Sequence, residues 1–150
     1  MREGSFDLGY YLCNMSRLLS IDYGTKKCGL AVTDPLQIIV NGLETVSTSH
    51  LEQYLKDYCR REVVSDIIIG LPRHPDGNPA QLAPEIERVA LKLRQLIPSV
   101  NILTHDESYT TKHAKQIILK SGLSKKKRRD KALIDKVSAV LILQDYLAHI

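Results

Sequence analysis

The chain has 150 residues, 43% of them hydrophobic and 25% charged, with a net charge of +4 and a pI near 9.0. That length suits one domain burying roughly 70% of its unfolded surface, and no apolar run approaches the ~20 residues that span a bilayer. Three widely spaced cysteines, Cys13, Cys28 and Cys59, form no Cys-x-x-Cys pair, which argues against a zinc site or disulfide framework and for a reducing cytoplasm.

Residues 1–14 contain two acids and no continuous apolar core, so they do not read as a secretory signal. They are expected to be a disordered upstream extension, with Met15 as the natural start and a single domain over 15–150. With no Trp and a single Phe, the core must come from Leu, Ile, Val and Ala. Leu18–Ile21 and Cys28–Val32 are apolar segments around the polar hinge Tyr23-Gly24-Thr25-Lys26-Lys27, the pattern of a β-hairpin. Asp22 then sits where a buried strand emerges. Gly24 lets the turn backbone approach a ligand closely. A carboxylate beside backbone amides and two lysines suits a metal ion with a phosphate attached. Asp34 precedes Pro35 and reads as a turn residue.

Gln37–Val40 and Leu43–Val46 flank Asn41-Gly42, giving either a third strand or a strand interrupted by a bulge. Ser49 and Glu52 read as a capping box for a helix carrying Leu51, Tyr54, Leu55 and Tyr58 to about Arg61. Asp66 to Pro72 is a continuous apolar run ended by Gly and Pro, as in a buried parallel strand. The loop after it holds His74, Asp76 and Gly77, at the strand end where open α/β sheets bind ligands. Ile86, Val89, Ala90, Leu93 and Leu96 predict a second helix stopped by Pro98. Val100–Leu103 predicts a strand with His105-Asp106-Glu107 at its end. A short helix carrying Ala114, Ile117 and Ile118 ends at Gly122. Lys125, Lys126, Lys127, Arg128, Arg129 and Lys131 put six cations into seven positions, read as a basic loop, and a last helix runs from Ala132 to about Ala148.

The order β-β-β-α-β-α-β-α-α opens with antiparallel strands and continues with βαβ units. It differs from a Rossmann unit, whose first strand feeds a helix, and no Gly-x-x-x-x-Gly-Lys loop is present. Acidic residues recur at one topological position: Asp22 ends the first strand and Asp106-Glu107 the last. Asp135 lies near the start of the final helix, with small residues Ser138 and Ala139 at i+3 and i+4, so it is expected to face inward. A buried carboxylate needs a partner cation, and a divalent metal relieves the repulsion between converging carboxylates. Strand alternation alone leaves open whether Asp106 or Glu107 joins them. His74 and His105 read as lone polar residues with structural roles.

With these residues in view, the chain resembles the YqgF/RuvX family of bacterial pre-16S rRNA nucleases, related to Holliday-junction resolvases. The resemblance runs from about Arg17 to Leu147. Ile21-Asp22-Tyr23-Gly24-Thr25-Lys26 with Gly29 to Asp34 is similar to the family's opening hairpin, and Gly70-Leu71-Pro72 to its central strand-loop motif. Asp106-Glu107 with Thr110-Thr111 and Ala114 resembles its acidic segment, and Ala132 to Asp135 with Ser138-Ala139 and Ile142 to Gln144 its C-terminal helix. Ser108 stands where the family usually has Arg.

The resemblance implies an α/β, RNase H-like mixed sheet flanked by helices, with three antiparallel strands and then βαβ units. It implies a Mg²⁺- or Mn²⁺-dependent endonuclease with Asp22, Glu107 and Asp135 as catalytic metal ligands, Asp106 being the alternative. Structured RNA, namely the 5′ end of pre-16S rRNA, is the expected substrate, with branched DNA as a second possibility through Holliday-junction resolution. Gly24, Thr25 and Lys26 would lie near the scissile phosphate, and Lys125 to Arg129 with Lys131 would follow the backbone. One alternative keeps the fold as a non-catalytic ribosome-assembly factor, favoured by Ser108. Another, ATP binding, rests on Asp-x-Gly-Thr in an opening hairpin, but nucleotide clamping of that kind needs two such domains.

Overall fold

In a computed structural model, which describes residues 15–72, 82–107 and 110–148, alternating apolar segments assemble into one five-stranded sheet. The strands are β1 (Arg17–Asp22), β2 (Lys27–Thr33), β3 (Val40–Ser47), β4 (Val64–Pro72) and β5 (Asn101–Glu107), in the order β3-β2-β1-β4-β5. β1 pairs antiparallel with β2, and β2 with β3, whereas β4 runs parallel to both β1 and β5. Three opening antiparallel strands are thus followed by βαβ units, as the sequence order implies. The expected extension over 1–14, the loop with His74, Asp76 and Gly77, and Ser108 lie outside the described residues.

Alternation sends successive side chains to opposite sheet faces. Leu19, Ile21, Leu30, Ile67, Ile69 and Ile102 point to one side, where they pack with Leu51 and Leu55 of α1 (Leu51–Arg61) and with Ile86, Ala90 and Leu93 of α2 (Ala83–Leu96). Leu18 and Ile68 point to the other, against Ile142 and Leu143 of the last helix, α5 (Lys131–Ala148). α3 (Thr110–Lys120) packs on α5, and Gly122 beyond its end takes φ +75°, a left-handed conformation that favours glycine. Among the described residues, no helix is long and apolar enough to cross a membrane.

Three local readings are corrected. Gln37 to Ile39 are not strand: the third strand starts at Val40 and carries Asn41-Gly42 within it. The β2–β3 pairing shifts between Gly29↔Thr45 and Ala31↔Gly42, so of the two readings offered for Asn41-Gly42 the strand interrupted by a bulge holds. The turn is supplied instead by Asp34, whose carboxylate accepts from the backbone N–H groups of Leu36 (3.1 Å), Ile38 (2.7 Å) and Ile39 (2.7 Å), while Gln37 takes φ 58°. The capping box is also absent. Thr48 donates its hydroxyl to Gly24 O (2.7 Å) and its N–H to Lys26 O (2.9 Å), and a 3-10 turn over Thr48–His50 precedes α1. Ser49 instead contacts Ser47 and the His50 ring. Finally, the basic stretch is not a loop throughout: Lys125–Arg128 form a one-turn helix, α4, with Ser124 Oγ accepting from Lys127 N.

The three backbone donors hold the Asp34 carboxyl below the ordinary aspartate range. A lowered folded-state value means that this group stabilises the fold above its unfolded pKa, and that the contribution is lost as pH falls through the folded value. Asp34→Ala should therefore lower Tm at pH 7, with the deficit shrinking below roughly pH 3.9. A thermal melt series against pH checks this, and a deficit independent of pH would contradict it.

Candidate functional site

The site is built where α5 sits down on the sheet. Asp22 is the last residue of β1 and pairs with Gly29 of β2. In β1, Leu18 packs towards α5 and Ser20 donates its hydroxyl to Ala139 O of α5 (2.6 Å), so alternation puts Asp22 on the α5 face too. Gly29 is fully covered by the helix: a Cβ there would run into the Asp135 carbonyl and the Lys136 amide nitrogen. Glycine is needed because backbone meets backbone at this point. Ser138 and Ala139, both fully buried, continue the same close approach along α5. Thr45 on β3 donates to Ala132 O (2.7 Å) and secures the start of the helix. Asp22 and Asp135 are thereby brought to either side of Gly29.

Asp135 faces inward, as expected from its small i+3 and i+4 neighbours. Its Oδ2 is buried with no hydrogen-bond partner, and Ser138 Oγ is in the same condition. Burial pushes the Asp135 carboxyl above the usual aspartate range, against the pull of Lys131 and Lys27. Burial is also the main reason the Cys28 thiol is pushed up, and the Asp22 and Asp135 carboxylates add to it. Two hard oxygen donors, one of them orphaned in a half-buried setting with little cationic compensation, fit a divalent cation.

Register bears on the choice left open between Asp106 and Glu107. His105 bonds Asp145 of α5 through Nε2 (2.6 Å) and stacks edge-on to the Tyr146 ring, which puts position 105 on the α5 face. Ile102 belongs to the opposite core, so Asp106 alternates with it onto the α1/α2 side. Position 107, paired with Pro72, falls in the α5-facing alternation with Asp22. The side chain of Glu107 lies outside the described residues, and among those described no three His, Cys, Asp or Glu groups form a metal-holding cluster. His105 has the structural role expected of it.

The turn residues Gly24, Thr25 and Lys26 lie at the same sheet edge as Asp22, and Thr25 and Lys26 are exposed. Two supports for this turn carry no sequence signal. Thr48 holds Gly24 from the far end of β3, and Tyr23 donates its hydroxyl to Glu85 of α2 (2.7 Å). Gly29 was detectable in principle, since a glycine inside an apolar strand marks close backbone approach. Of the basic run, Lys131 is near Asp135, whereas Lys125 to Arg129 stand on or beside the separate helix α4.

The profile of the RuvX family, described as Holliday junction resolvase, matches residues 16–149. The chain belongs to the RuvX family. A Porphyromonas gingivalis relative is 50% identical over 133 residues, covering 89% of this chain and 96% of its own length. One from Flavobacterium johnsoniae is 46% identical over 134 residues, covering 89% and 97%. Both are provisionally named pre-16S rRNA nuclease. The fold is that of Thermus thermophilus RuvC solved with a Holliday junction substrate, at a TM-score of 0.55 and 16% identity over 89% of this chain and 95% of that one. This RuvX-family chain therefore has the RNase H-like arrangement that its sequence implies, within a family of nucleases.

Two substitutions test the geometry. Gly29→Ala should cost about 1–3 kcal/mol, because the added methyl meets helix backbone that cannot rotate away; a loss under roughly 0.5 kcal/mol in urea unfolding would contradict the backbone contact. For Asp135 the raised folded-state pKa has the opposite sign to Asp34. The native state holds the proton longer than the unfolded chain, so stability falls as pH rises from the ordinary aspartate range through the raised value. In EDTA, Asp135→Asn should match or exceed wild-type Tm at neutral pH, and its advantage should shrink in acid.

Proposed function

We propose that this chain is a divalent-metal-dependent endonuclease that hydrolyses phosphodiester bonds at the 5′ end of pre-16S ribosomal RNA in the cytoplasm. The observation that carries the reading is the orphaned, buried Oδ2 of Asp135 beside Asp22 in a chain of nuclease lineage. The names of its relatives support the RNA substrate.

In this reading Asp22, Asp135 and Glu107 hold the ion, with Asp106 turned to the other sheet face. A Mg²⁺ or Mn²⁺ bound there supplies an activated water and stabilises the leaving oxygen. The chain's own residues supply the rest. Gly29 and the Ser20–Ala139 hydrogen bond fix the separation of the two strand and helix carboxylates. Thr25 and Lys26 offer a hydroxyl and an ammonium to the substrate phosphate from an exposed turn, and Gly24 keeps its backbone approachable. Lys27 and Lys131 moderate the charge near Asp135. A second reading, cleavage of branched DNA, is favoured by the description of the family as a Holliday junction resolvase.

Cleavage of a labelled 16S-precursor 5′ leader and of a four-way DNA junction, each with Mg²⁺, Mn²⁺ or EDTA, tests these readings. RNA should be cut in metal only, and Asp135→Asn should lose on the order of 10²–10³-fold or more in rate, the scale of removing one group that stabilises transition-state charge. Junction cutting without RNA cutting would favour the second reading. Binding to RNA without cutting in any metal would make the chain an assembly factor. Independently, Mn²⁺ at about 100 times its Kd should stabilise the wild type by ~2.7 kcal/mol and Asp135→Asn far less. Equal stabilisation of both would remove Asp135 from the ion.

A further inference from the structure

The six cations of the basic run do not share one surface. Helix α4 divides it: Lys125, Arg128 and Arg129, spaced three and four apart, turn into a groove of about 470 Å³, while Lys126 and Lys127 do not line it. The groove is completed by Lys115 and Leu119 of α3 and by Ile134 of α5. Among the described residues no carboxylate pairs with its four cations, and the buried Arg128 Nε has no hydrogen-bond partner. Leu119, 58% exposed, and Ile134 give the same groove an apolar wall. Ile134 is the residue next to Asp135, so groove and carboxylates share one turn of α5.

Four cations gathered in one groove, with no described carboxylate among them and one buried guanidinium nitrogen unsatisfied, suit an anion, and the apolar wall offers nothing to a phosphate alone. A nucleotide has both parts, a phosphate on either side and a flat apolar base face. In a duplex the base faces are stacked inside, so they are available to such a wall only where the strand is unpaired. We propose that this groove seats one unpaired nucleotide of the nucleic-acid substrate, with phosphates on Lys115, Lys125, Arg128 and Arg129 and the base against Leu119 and Ile134. The proposal rests on the reading of the chain as acting on nucleic acid. It adds a preference for single-stranded segments next to the cleavage site.

Binding in EDTA tests it without requiring cleavage. Fluorescence anisotropy would compare a labelled single-stranded RNA, its duplex and free AMP as competitor. Arg128→Gln/Arg129→Gln should weaken single-strand binding by about tenfold or more, since charge-assisted contacts are lost. Lys126→Gln/Lys127→Gln removes the same charge from the same segment but outside the groove, and should cost under about threefold. Leu119→Gln, at an exposed position that should leave folding intact, should weaken single-strand binding by roughly tenfold and leave duplex binding unchanged. Equal losses from the two double variants, or an equal effect of Leu119→Gln on duplex, would overturn the proposal. Competition by micromolar AMP would overturn it in favour of a free-nucleotide site. If the groove variants behave as expected but no metal condition yields cleavage, the nuclease reading fails and the groove stands.

Discussion

The architecture depends on one backbone-to-backbone contact, that of α5 over Gly29. Side chains on both surfaces normally hold a helix away from the sheet it packs on. Here glycine on β2 and the small residues Ser20, Ser138 and Ala139 remove that spacer, and the Ser20 hydroxyl bonds directly to a helix carbonyl. Any side chain at Gly29 would lift the helix and separate Asp135 from the end of β1. Farther along, α5 crosses to β5, where His105 and Asp145 fix its other half. The helix is thus pinned at both sheet flanks, and the carboxylate of its second turn has little freedom to retreat to solvent.

That immobility explains an otherwise unfavourable choice of residue. A carboxylate held inward with an unbonded oxygen costs free energy, and its neighbours do not remove the cost: burial outweighs Lys27 and Lys131 in setting its protonation. A cation bound beside this oxygen would offset that cost, which the protein otherwise bears. Asp34 shows the contrast within the same chain. It is half-buried and accepts three backbone N–H bonds, which hold its carboxyl below the ordinary range.

Much of this was legible in the sequence because period and breaker residues act locally. The hairpin, the continuous run of β4 and the small-residue face of α5 all follow from side-chain size and spacing. The inward direction of Asp135 could be read from Ser138 and Ala139 for the same reason. What escaped was decided over long sequence distances. Ser49 and Glu52 form a plausible capping box, but Thr48 is held by Gly24, 24 residues away, and a 3-10 turn displaces the cap. At Asn41-Gly42 the bulge was one of two readings the sequence offered, and the pairing with β2 decides for it. Which sheet face Asp106 and position 107 take was open because it depends on strand pairing, here that of β5 with β4.

The basic run shows how local and tertiary information combine. In sequence its cations are equivalent, since charge alone does not distinguish adjacent lysines. One turn of helix makes them unequal by rotating successive residues about 100° apart. The same rotation operates at the start of α5, where Asp135 faces the sheet while Ile134, one residue earlier, lines the groove against α3. A strand held in that groove is therefore presented to the carboxylates by the shortest possible connection, two adjacent side chains on one rigid helix. Moving α5 would shift both at once, so the seat on Gly29 governs the alignment of bound strand and acidic site together.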